Sequence, residues 1–195
     1  MLYNSFSFLL FFPIVATFFF LLPHKIRQGY LLVVSYFFYM NWSPTYSLFL
    51  VFVTLVSYVG AQILQKFCES ENDKLRRVVL ASTLLLCFSG LFIFKYLNFL
   101  NDSLWGLFSL MGIRMEVPHL ELLLPVGISF YTFQACGYMI DVYRRQIMVE
   151  RNFCTYALFI SFFPQIAAGP IGRGKELLPQ FKVKHYLNRE DITTG

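Results

Sequence analysis

The stretch LPVGISFYTFQACGYMIDVYRR, residues 124–145, decides how this chain is read. It is apolar enough to enter a bilayer, yet it carries Ser129, Tyr131, Thr132, Gln134, Tyr138 and Asp141. On a helix, where each residue advances about 100°, Gly127, Tyr131, Gln134, Tyr138, Asp141 and Arg145 fall on one stripe about 80° wide. Hydrocarbon offers unpaired polar groups no partner, so such a stripe faces other helices or a water-filled cavity. Ser129 and Thr132 fall on other faces, where their hydroxyls can bond back to the preceding turn. Two readings stay open. The stripe is glue between helices, with Asp141 and Arg145 as an i,i+4 pair, or it lines a functional cavity. Gln134, seven residues deeper than the charges at the end of the span, is the costlier group and the better pointer to function.

The rest of the chain has the composition of a membrane protein. Of its 195 residues, 57% are hydrophobic and only 14% charged, against about 25% charged in soluble domains. Residues 28–65 contain no Asp, Glu, Lys or Arg. The apolar runs are continuous rather than alternating, which excludes an outer-membrane barrel and predicts an all-α polytopic protein. The net charge of +5 fits basic loops beside anionic head groups, and no basic cluster stands on a soluble module, so no nucleic-acid partner is expected. The partner the composition calls for is the lipid bilayer. Cys68, Cys87, Cys136 and Cys154 show no metal spacing and read as small core residues.

Charge, proline and glycine punctuate about five to six spans. The first, 6–22, lacks the basic start and cleavage pattern of a signal peptide and reads as a retained span. A basic loop, 24–28, leads to a run at 30–42 that is short for a crossing and could be re-entrant. Spans at 45–64 and 78–94 flank the charged loop 65–77. Asn98, Asn101 and Asp102 interrupt the stretch after Lys95, with Asp102 or Ser103 as the cap of a shorter helix. Further spans are expected at 120–140 and 153–168, followed by a basic tail, 172–195, along the membrane surface on Leu177, Leu178, Phe181 and Val183. The basic loops 24–28 and 65–77 belong in the cytoplasm. Beyond Lys95 the charge rule conflicts: if 96–113 crosses, Arg173 and its basic neighbours are cytoplasmic and Arg144, Arg145 and Arg151 are outside, and if it does not cross the reverse holds, the larger count favouring a crossing.

A second constellation is SFFPQIAAGPIGRGKELLPQF, residues 161–181. Pro164 kinks the helix near Ile160, Gln165 follows the kink, and Arg173 lies between Gly172 and Gly174. Broken helices at membrane depth are tolerated where they are buried in protein or line a cavity. An arginine beyond such a break can hold an anionic group, or it can be an ordinary interfacial arginine. Lys95 reads as a snorkelling residue. His24, His119 and His185 fall in expected loops with no carboxylate or cysteine at ligand spacing. Neither a metal motif nor a phosphate loop nor a Ser-His-Asp order is present.

These motifs carry a resemblance. Residues 124–145 and ERNFCTYALFISFFPQIAAGPIGRGKELLPQF (150–181), with SYFFYMNWSPTYSLFL (35–50) and FIFKYLNF (92–99), resemble the membrane-bound O-acyltransferase family in its alginate O-acetylation branch. The resemblance covers the N-terminal part of that family. It implies a multi-pass protein of the bacterial inner membrane, a ring of helices around a funnel, and an acyl donor such as acetyl-CoA. It also implies a polysaccharide acceptor such as alginate, reached through a periplasmic acetyltransferase partner. Tyr131, Gln134, Tyr138, Asp141, Gln165 and Arg173 become candidates for lining the funnel.

The family's catalytic histidine has no counterpart among His24, His119 and His185, so the base that activates the acceptor hydroxyl is missing. This chain is therefore expected to be truncated or half of a split enzyme, inactive alone, with its second half beyond residue 195. D-alanyl or acetyl transfer to another cell-wall glycan is the alternative within the class. Half of a channel or transporter is the alternative outside it, although paired repeats are absent.

Overall fold

The computed structural model describes residues 6–41, 44–69, 72–110, 127–166 and 172–184. Among these residues the chain is helical and contains no strand. The elements are α1 (Phe6–Leu21), α2 (His24–Met40), α3 (Pro44–Glu69), α4 (Asp73–Leu110), α5 (Ile128–Tyr143), α6 (Phe153–Ser161), the single turn α7 (Phe163–Ile166) and α8 (Gly174–Lys182). Within α3 and α4, Tyr46–Phe67 and Asp73–Ile93 are long and apolar enough to cross a membrane.

Each long helix has an apolar outside and a partly polar inside. On α3, Leu48, Phe52, Leu55, Val59 and Ile63 form an exposed row, while Ser47, Thr54 and Ser57 are buried beside Leu50, Val53 and Leu64. Water would favour the reverse arrangement; a hydrocarbon surround favours this one. The buried hydroxyls are satisfied locally, Thr54 Oγ1 donating to the Leu50 carbonyl at 2.7 Å and Ser57 Oγ to that of Val53 at 2.6 Å. Tyr156 in α6 donates its hydroxyl proton to Ser57 Oγ at 2.8 Å, fixing α6 against α3. Two of the cysteines, Cys87 and Cys136, are buried in the core as expected, whereas Cys154 is exposed.

Several expected boundaries move. The basic segment 24–28 is the first turn of α2, not a loop, so α2 has 17 residues and His24 is its first residue. Pro23 fits the entry, since the first helical turn needs no amide donor. Arg27 folds back onto the end of α1, its Nε donating to the Leu22 carbonyl at 2.9 Å and its Nη2 to that of Phe20 at 3.2 Å. A cation at a helix C-terminus is favoured by the helix dipole. Asn98, Asn101 and Asp102 do not interrupt α4, which runs unbroken for 38 residues, about 57 Å at the helical rise. Propensity penalties of a few tenths of a kcal/mol at each polar residue are too small to stop a helix already propagating.

The helix break after α6 falls at Phe162, not at Ile160. Phe162 is non-helical (φ −55, ψ 107), and Pro164 sits inside the new turn α7, where a proline is tolerated. The break leaves the Phe159 carbonyl and the Phe163 amide without helical partners. Gln134 Nε2 donates to the Phe159 carbonyl at 2.9 Å, and Phe163 N–H donates to Ser35 Oγ at 3.3 Å. Side chains of α5 and α2 thus supply what the broken ladder lost.

The helices align one end of the molecule with the charges. Arg76 at the start of α4 donates to the Tyr143 carbonyl at the end of α5. Tyr58 and Gln62 in the second half of α3 donate to the carbonyls of Arg151 and Glu150, at 2.6 and 2.8 Å. Gln28 in α2 donates to the Phe181 carbonyl at 2.8 Å, and Lys182 pairs with Glu150 at 2.6 Å. The segments around Arg151 and around Lys182 therefore share one end, and the conflict raised by the charge rule disappears. Residues 153–166 run from that end along α5 to its start, where Gly127 meets Ile166, and α8 is back at the charged end.

Candidate functional site

The site is built on α5, the helix of the polar stripe. Gly127 opens it in the left-handed region (φ 74), and a Cβ there would lie 2.1 Å from the Ile166 carbonyl oxygen, so only glycine fits. At the other end α5 closes with Arg145 N–H bonded to the Val142 carbonyl and Gln146 N–H to that of Asp141, at 3.0 and 2.9 Å. This paired closure is a Schellman motif. It places Arg145, not a glycine, at φ 59. Arg145 is therefore off the helix, exposed, and makes no ion pair with Asp141. The expected i,i+4 pair is corrected: the helix ends before its second member.

Gln134, Tyr138 and Asp141 do line one cavity, about 540 Å³ in volume, and Arg173 from the start of α8 joins them. Arg144 and Gln146 complete its polar rim. Asp141 is half-buried, and Arg144 and Arg173 are exposed. Gln134 spans two tasks, lining the cavity while holding the Phe159 carbonyl. Tyr138 is fully packed, its ring 4.8 Å from that of Tyr156, and its hydroxyl accepts from Glu150 N–H at 2.8 Å. Gly174 lies against the Tyr138 ring, where a Cβ would come within 2.9 Å, so α8 approaches the cavity closely.

Tyr131 and Gln165 are not part of this cavity. Tyr131 is buried between Tyr39 and Phe49, with ring centroids at 6.2 and 6.1 Å, and packs the core. Gln165 lies in α7, its buried Oε1 without a hydrogen-bond partner among the described residues. Glycine at 172 keeps the space beside that oxygen, which would lie 2.6 Å from a Cβ there. His24 lines a separate, largely apolar cavity of about 190 Å³ with Phe19, Leu31, Phe162 and Phe181. His119 and His185 lie outside the described residues.

The stripe does not reveal Glu150. Its carboxylate is 7% exposed, Oε2 paired with Lys182 and Oε1 accepting from Asn152 N–H at 3.0 Å. Asn152 in turn caps α6, accepting from the amides of Cys154 and Thr155. The only sequence signal is an acid two residues before an Asn cap, which by itself is an ordinary helix start. Arg76 is also buried, stacked 4.9 Å over the Tyr143 ring.

Chemically, the cavity can bind and orient a polar group. Two arginines and the amides at the start of α8 make its rim favourable to an anion, and Asp141 is the carboxylate among its lining residues. Among the described residues no group of His, Cys, Asp or Glu could hold a metal ion.

No family model matches the chain, and no solved structure matches it. Curated relatives do. It is 36% identical over 183 residues to the probable alginate O-acetylase AlgI of Pseudomonas aeruginosa, covering 93% of this chain and 34% of that protein. The probable alginate O-acetylase of Azotobacter vinelandii is 36% identical over 97% of this chain and 38% of its own length. A peptidoglycan O-acetyltransferase of Helicobacter pylori is 33% identical over 85% of this chain and 35% of its own. The chain thus spans about a third of the length of the curated relatives it matches.

Proposed function

The chain belongs to the family of the alginate O-acetylases, and from that premise we propose that it forms part of the funnel wall of a multi-pass O-acyltransferase in a bacterial inner membrane. The enzyme is of the membrane-bound O-acyltransferase type. It passes an acetyl group from a cytoplasmic thioester donor such as acetyl-CoA toward a polysaccharide hydroxyl, through a periplasmic acetyltransferase partner. The observation that carries this proposal is the convergence of Gln134, Tyr138, Asp141 and Arg173 on one cavity at the charged end. Basic residues gather on the cytoplasmic side of membrane proteins, so the cavity opens where a soluble donor arrives.

In this proposal the cavity binds and orients, and the described residues of this chain do not supply the base. Tyr138 already accepts a hydrogen bond, and His24 stands in a different cavity. Residues 1–195 alone are therefore expected to transfer no acyl group. The Helicobacter pylori relative, named for peptidoglycan, favours a second acceptor within the same chemistry.

A chimera tests this. Residues 1–195 replace the matched third of the Pseudomonas aeruginosa relative, and acetylation of alginate is measured in cells lacking that relative. Acetylation by the chimera, and its loss with Arg173→Ala and Asp141→Asn at unchanged protein level, is the expected outcome. A stable, membrane-inserted chimera with no acetylation would overturn the proposal.

A further inference from the structure

We infer that Glu150 is a positioning residue that latches α8 over the cavity through Lys182, and so holds Arg173 and Gly174 at its rim. The post of the latch is fixed on three sides. Glu150 donates its N–H to the Tyr138 hydroxyl, its carbonyl accepts from Gln62 Nε2, and its Oε1 accepts from Asn152 N–H. Its backbone is thereby tied to α5 and α3, and its carboxylate has one direction left, toward α8. There Lys182 Nζ meets Oε2 at 2.6 Å, at the last residue of a nine-residue helix whose first turn carries the cavity rim.

The two partners differ in their surroundings. The Glu150 side chain is 7% exposed and that of Lys182 is 57% exposed. Removing the lysine leaves a carboxylate that is both buried and unpaired, which strongly disfavours the closed arrangement. Lifting α8 restores water to it. The backbone ladder of α8 is weakened from within. Pro179 lies inside it and removes one backbone donor. Its other described tethers include the bond from Gln28 to the Phe181 carbonyl, the Phe181 ring against that of Phe162 at 5.3 Å, and the burial of Leu177 and Leu178. A latch with a fixed acid and a solvated base sets where α8 holds the rim of the cavity.

The inference rests on the cavity as the functional site, but its test needs no acyl transfer, so the two can fail separately. Leu178→Cys places a thiol on the buried face of α8, with Cys68 and Cys154 replaced by serine. Cys87 and Cys136, buried on α4 and α5, stay as reporters of the intact bundle. Labelling by a polar maleimide is timed in the membrane-embedded chain. Lys182→Met should speed labelling at position 178 about tenfold or more, the size of shift that leaving the buried Glu150 carboxylate without its cation brings, and Glu150→Ala should speed it less. Lys182→Arg should keep the original rate, and Cys87 and Cys136 should stay protected throughout. The inference fails if Lys182→Met leaves the rate unchanged, or if Lys182→Arg speeds it equally. It fails too if Cys87 and Cys136 become reactive along with position 178, since Glu150 would then serve general stability.

Discussion

Gln134 on α5 holds the carbonyl of Phe159 on α6 at 2.9 Å, in the turn of α6 that precedes its break. That carbonyl would have paired with the Phe163 amide, which turns instead to Ser35. A buried carbonyl left without a donor costs about 1–3 kcal/mol. Gln134→Leu should therefore lower the midpoint of thermal unfolding in detergent by that equivalent, and Ser35→Ala should do so less, because its bond is longer at 3.3 Å. An unchanged midpoint for Gln134→Leu would show that the break needs no cap.

Arg76 and Asp73 form an ion pair of unequal members, with 7% and 69% side-chain exposure. The exposed carboxylate contributes little, under about 1 kcal/mol. The guanidinium has more to do, donating to the Tyr143 carbonyl and covering its ring. Asp73→Asn should be nearly silent in thermal unfolding, while Arg76→Met should cost about 2–3 kcal/mol. Equal effects would mean that the ion pair, not the cap on α5, holds this corner.

Three glycine-sized places should respond differently. A Cβ at Gly90 would lie 2.0 Å from the Phe49 ring, whereas one at Gly137 would meet nothing within 4 Å. Gly90→Ala should destabilise α3 against α4 through overpacking, by about 1–3 kcal/mol. Gly137→Ala should stabilise α5 by up to about 1 kcal/mol. Arg145, held at φ 59, should gain about 1 kcal/mol on replacement by glycine. Chemical denaturation of the three variants in detergent, read by helix content, checks the signs.

Cysteines placed singly at Arg151 and at Lys184 should react with a membrane-impermeant reagent from the same side, and one at Asn41 from the other. Arg151 is tied to α3 by the Tyr58 bond, and Lys184 follows the Lys182–Glu150 pair. Asn41 closes α2 at the opposite end. Opposite labelling of positions 151 and 184 would restore the single crossing at 153–168 that the apolar run alone suggested.

Much of this protein was legible in its sequence. Continuous apolar runs with little charge require helices, and a stripe with the period of a helix shows which face of α5 avoids lipid. That spacing puts Gln134, Tyr138 and Asp141 on one face, and the structure sets all three against one cavity. The resemblance carried by residues 124–181 pointed to the same family as the relatives.

What tertiary structure alone decided is where each of those groups finds its partner. Tyr131 shares the stripe but packs between Tyr39 and Phe49, because those rings come from α2 and α3 and no spacing along α5 reports them. Asp141 and Arg145 have the right spacing for a pair, but a Schellman closure ends the helix between them. Glu150 is marked by no periodicity in the sequence and is a buried junction of α3, α5 and α8. Periodicity fixes the direction in which a side chain leaves its own helix. Partners arriving from helices tens of residues away, and the charged end they share, exist only once those helices pack.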